Sequence, residues 1–107
     1  MPVAAITAGS KISPVFPYPT AGMARVYIEA SLPVDIFIST PQDAESITSL
    51  VAAAQLAPRV LIYNTRLFLN EIINVPPEWS TVGWSITIAH PGTHQTPIGV
   101  YYVVYPA

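Results

Sequence analysis

The chain has 107 residues, 51% hydrophobic and only 9% charged, with a net charge of −2; an average soluble domain is about a quarter charged. Four Lys and Arg neutralise too few phosphates for nucleic-acid binding, and they give little attraction to anionic lipid. The absence of cysteine excludes a disulfide framework and a thiolate metal site, and no apolar run approaches the ~18 residues of a membrane span.

The length fits one domain. No basic n-region precedes the first apolar residues, so no signal peptide is visible. A cytoplasmic location is the default expectation. Residues 1–22 read as an extended, Pro-rich N-terminal arm, with a short strand at 3–7. Within the arm, Pro14, Pro17 and Pro19 favour polyproline II over helix. Residues 23–107 read as the folded domain.

From there the dominant period is two, the signature of half-buried strands. In 25–30, Val26, Ile28 and Ala30 share a face opposite Arg25, Tyr27 and Glu29. After Leu32-Pro33, the run 34–39 sets Val34, Ile36 and Ile38 against Asp35, Phe37 and Ser39. Then the pattern changes. Thr40 is a helix N-cap with Pro41 at the first helical position and Asp43 in the first turn. Ala44, Ile47, Leu50, Val51 and Ala54 follow at helical spacing, so one amphipathic helix is expected over about 41–56, ending before Pro58. Residues 59–63 form a further strand. In 66–75, Leu67, Leu69, Ile73 and Val75 line one face, interrupted by Glu71, with Phe68, Asn70, Ile72 and Asn74 on the other. Residues 84–89 and 98–105 complete the strands, the last setting Tyr101, Val103 and Tyr105 against Val100, Tyr102 and Val104. Pro and Gly mark the turns between them.

Some seven short strands and one helix predict a mainly β domain, a small antiparallel β-sandwich or jelly roll. The strand Val34-Asp35-Ile36-Phe37-Ile38-Ser39, the later Trp84-Ser85-Ile86-Thr87-Ile88-Ala89 and the closing Val100-Tyr101-Tyr102-Val103-Val104 resemble small bacterial modules of the pre-peptidase C-terminal type and GOLD-like jelly rolls. That resemblance covers about residues 24–105 and implies a non-catalytic accessory or recognition module. Those families carry more charge, and the helix expected here is long for them.

The sequence holds few candidates for chemistry. His90 and His94 are four apart, but Pro91-Gly92 places them on a loop, with no third zinc ligand near; they are weak metal candidates. No metal or other cofactor is expected. There is no Gly-x-Ser-x-Gly elbow and no Gly-rich phosphate loop. Glu71 and Glu78 are the sole tempting carboxylate pair, and they read as solvated residues. Glu71 is expected at a bulge or sheet margin, since burying it unpaired would be costly.

Two readings of function follow. The first is a structural or assembly protein that self-associates into a homo-oligomer, because strand edges and faces so poor in charge lack the usual protection against association. Its interface candidates are Tyr18, Tyr101 and Tyr105, since interfaces favour tyrosine over Lys and Glu. The second is a glycan- or protein-binding recognition module. Trp79, expected to be exposed in a loop beside Glu78 and Asn74, would stack on the ligand there.

Overall fold

The computed structural model describes residues 3–107; the first two residues of the expected arm lie outside them. Seven strands form one antiparallel sheet: β1 (Val3–Ile6), β2 (Lys11–Ile12), β3 (Val15–Phe16), β4 (Met23–Ser39), β5 (Leu61–Asn74), β6 (Trp84–Ala89) and β7 (Ile98–Pro106). Two short helices, α1 (Pro41–Ser46) and α2 (Leu50–Leu56), connect β4 to β5. The expected class, a small mainly β antiparallel domain, is what the chain adopts.

The long strands β4 and β5 organise it. The alternating run 25–30 and the run 34–39 are not separate strands but two halves of β4, with the pairing register shifting between Glu29 and Val34. Pro33 lies in that shift, where it has no N–H to give to the ladder and where strands tolerate proline. A second shift on β5 falls at Tyr63-Asn64, where Asn64 takes φ 60°. Asparagine enters this left-handed region more readily than other residues with a side chain. The chain therefore bends without ending either strand.

This bend folds the sheet onto itself. The first half of β4 lies between β7 and the second half of β5, and β1 extends that layer beyond β7. The second half of β4 lies between β6 and the first half of β5, with β2 and β3 beyond β6. Between the layers pack Val26, Ile28, Leu69, Ile73 and Val100 from the first and Ile36, Ile38, Trp84, Ile86 and Ile88 from the second. Fully burying an aliphatic side chain of this size stabilises by about 1.5–3 kcal/mol.

The half-buried alternation holds in the first layer and fails in the second. Every residue of β6 and of Val34–Ser39 is buried. The reason is a third layer: Ile47, Ala53 and Leu56 of the helical connection cover Phe37, Val60, Ile62 and Ala89 on the outer side of this layer.

The expected helix over 41–56 is two helices. Thr40 caps α1 as expected, its hydroxyl accepting from Asp43 N at 3.2 Å. The chain then leaves the helix at Ile47, which is extended (φ −85°, ψ 101°) and completely buried against the sheet. Ser49 starts α2 by accepting from Ala52 N at 3.2 Å, and α2 ends at Leu56, two residues before Pro58. Lys11 stabilises the break. Its ammonium donates to the carbonyls of Ala44 at 2.5 Å and Ile47 at 2.6 Å, groups a continuous helix would have used itself. Partial burial pulls the Lys11 pKa below its usual value, against the pull of Glu45.

The segment read as an arm is paired within the chain. β1 lies on β7, and β2 and β3 lie end to end on β6. Pro14, just before β3, joins this pairing through its carbonyl, which accepts from Ile86 N at 3.2 Å.

Candidate interaction face

The two layers differ on their outer sides. Helices cover the second, whereas among the described residues no element covers the outer side of the first. The alternation of β4, β7 and β5 decides what that side displays. Register places Val3, Tyr101, Glu29 and Phe68 in one row across the strands, Val103, Tyr27 and Asn70 in the next, and Tyr105, Arg25 and Ile72 in a third. Of these, Val3 (72%), Phe68 (49%), Ile72 (49%) and Tyr105 (42%) are substantially exposed.

The rings form a connected group at its centre. Tyr27 meets Phe68 edge-on with centroids 5.2 Å apart, and Tyr101 with centroids 6.0 Å apart. The Tyr27 hydroxyl donates to the Glu29 carboxylate, and that bond is the first cause of a phenol pKa above its ordinary value. Arg25 donates to Asn70 Oδ1 at 3.0 Å. Arg25 and Glu29 thus sit partnered within the face, among its exposed apolar and aromatic side chains.

Tyr105 also borders a groove at one end of the sandwich. Phe16, Pro17, Tyr18, Met23, Trp84 and Pro106 are among the residues that line it, and it encloses about 330 Å³. Trp84 forms its floor, in tilted contact with Phe16 at 5.0 Å between centroids and donating from Nε1 to Pro17 O at 3.1 Å. Gly83, just before, has φ +77°, and a Cβ there would stand 2.7 Å from Phe16 O, so this approach of β3 to the start of β6 requires glycine.

The predicted interface tyrosines separate. Tyr101 and Tyr105 share the open face. Tyr18 is half-buried in the groove wall, its hydroxyl donating to Val75 O at 3.0 Å. Tyr27, Phe68 and Ile72 belong to the face as well, beyond the tyrosines expected from the sequence. Their alternation was visible, but only pairing in register brings three strands distant in sequence side by side.

The Trp79 reading needs correction. Trp79 is 8% exposed and belongs to the core. The 3-10 turn Pro77–Trp79 swings its ring inward, with Gly83 N and Val82 N both donating to Trp79 O. Pro77 at the start of that turn was the available signal. Glu78 and Asn74 are exposed, but they flank no exposed indole.

Glu71 lies half-buried on β5, opposite Val26. Since β5 pairs with β4 alone, that position is the sheet margin the sequence suggested. The two histidine rings lie in tilted contact, with centroids 4.7 Å apart and planes at 56°. His90 is buried and spends both nitrogens: Nδ1 accepts from Gly92 N at 2.9 Å, which makes Nε2 the donor to Thr96 O at 2.8 Å. Among the described residues, no group of three His, Asp or Glu gathers to hold a metal, and no helix is long and apolar enough to cross a membrane.

Fold and surface together define a small antiparallel β domain with one helix-covered face and one open aromatic face. No family model matches the chain, and no curated protein matches it as a relative.

Proposed function

We propose that this chain is a non-catalytic structural or assembly subunit that associates with copies of itself through the open face of the first layer. The observation that carries the reading is the contrast between the two outer sides. The chain spends two helices on covering one, while Val3, Phe68, Ile72 and Tyr105 remain exposed on the other. Exposed apolar side chains gathered on one face mark an interaction site, and its Tyr- and Phe-rich, Lys-free composition matches the core of an interface.

Light scattering on a size-exclusion column over a dilution series tests this. The expected result is a mass that is a multiple of the 11.5 kDa chain and falls to the monomer on substitution of Val103→Lys, which places an ammonium at the centre of the face. A monomer at every concentration overturns the reading.

The groove supports the second reading, a module that recognises a glycan or protein ligand. Its aromatic and proline lining around Tyr18 and Tyr105 offers ring faces for stacking, and its size approaches that of small-molecule sites. Titration with glycan and peptide panels, with Tyr105→Ala as control, tests it; binding unaffected by that substitution removes the groove from consideration. The resemblance to pre-peptidase C-terminal and GOLD-like modules points the same way.

A further inference from the structure

We infer that two copies of this chain stack their open faces about a two-fold axis that crosses β4 at Tyr27, so that Arg25 of each lies over Glu29 of the other. The inference rests on the assembly reading above and specifies its geometry.

The register itself supplies the argument. Glu29 is paired with Tyr101 on one side and Phe68 on the other, and Arg25 with Tyr105 and Ile72. Tyr27, between them, is paired with Val103 and Asn70. A two-fold axis running along this middle row, between two stacked sheets, reverses the strand direction and exchanges the flanking rows. Tyr101 then covers Tyr105 of the second copy, Phe68 covers Ile72, and Arg25 covers Glu29. Each element of the pattern meets a complementary one, which is the condition an isologous interface must satisfy.

The charges single out a second copy as the occupant. The three rows carry one positive and one negative side chain, two residues either side of the axis. A partner of uniform sign would leave one of them opposed; this chain, reversed, satisfies both. Stacked sheets stand about 10 Å apart and cross at about 30°. Two residues of strand are about 7 Å, so that crossing displaces the pair by under about 4 Å, within the reach of an arginine side chain.

Charge exchange tests this on the intact chain. Arg25→Glu gives the face two negative groups and Glu29→Arg gives it two positive ones. Each variant alone should dimerise roughly a hundredfold more weakly or worse, since like charges opposed in an interface cost several kcal/mol. Mixing the two variants should restore the wild-type mass, as a mixed pair has four complementary groups. The double variant Arg25→Glu/Glu29→Arg should also restore it, with circular dichroism confirming that each variant is folded. If the wild type associates and the single variants do so equally well, or the mixture stays monomeric, this geometry is wrong and the assembly reading survives. A wild type that is monomeric throughout sinks both.

Discussion

Lys11 shows how one residue serves a distant element. It lies on β2, yet its ammonium supplies the positive end that α1 lacks in its own last turn. Cations at a helix C-terminus and charge-assisted hydrogen bonds both stabilise. Lys11→Met should therefore lower unfolding stability by about 1–3 kcal/mol, read as a lower midpoint in urea at unchanged slope. Trp79→Ala makes a contrasting prediction. With its ring in the core, truncation should cost about 3–5 kcal/mol, visible as a large loss in thermal midpoint; an unchanged midpoint would place the ring outside the core. Trp79 also marks where sequence reasoning stops at this scale. A Trp after Pro-Glu in a loop has no periodicity to assign its face, whereas Trp84, inside an alternating strand, did.

At the scale of elements, the bends matter most. Leu32-Pro33 and Asn64-Thr65 looked like the ends of strands because each interrupts an apolar alternation. Both are places where strands bulge and continue, since the partner strand keeps the ladder intact on either side. Asn64→Gly should leave stability unchanged or raise it slightly, while Asn64→Val should lower it by about 1–3 kcal/mol, because a β-branched residue resists positive φ. Equal denaturation midpoints for the two variants would contradict the left-handed bend. The split helix has the same origin. Periodicity placed Ile47 correctly on the buried side, but burial against Phe37 in extended conformation outweighed the continuation of the helix. Nothing local announced that Lys11, more than thirty residues earlier, would accept the freed carbonyls' demand for donors.

At the scale of the molecule, alkaline pH and truncation both test how the layers hold together. Tyr63 has its pKa raised, first by burial and then by Glu71, with Arg66 opposing. Tyr27 is raised as well, first through its bond to Glu29. A phenol with a raised folded-state pKa contributes stability that is complete below the unfolded value of about 10 and is lost as pH climbs through the folded one. Unfolding stability should thus be level below that pH and decline above it, and Tyr63→Phe should flatten part of the decline. Deleting residues 1–16 removes β1, β2 and β3 together, uncovering the edges of β6 and β7. The shortened chain should aggregate through these edges, seen by light scattering, and a well-behaved monomer of full stability would show that the pairing contributes little.

The sequence by itself determined the class of this domain: alternation of Val, Ile and Tyr, punctuated by Pro and Gly, is a local property and specifies strands wherever it occurs. Within the strands it also determined which residues share a face, and it placed the capped start of the helical connection at Thr40 and its end before Pro58; within α2 it did not, since Leu50, Val51 and Ala54 of the expected apolar face are exposed and Ala53 is buried. Tertiary structure alone decided which face is outside. Tyr101, Val103 and Tyr105 are no more polar or apolar than the chain around them; they are open because β4 folds at Pro33 and sends the helices over the other layer. The same fold buries Trp79 and joins Phe68 to Tyr27. Those are relations between segments far apart in the chain, fixed by register and layering, and no local pattern encodes them.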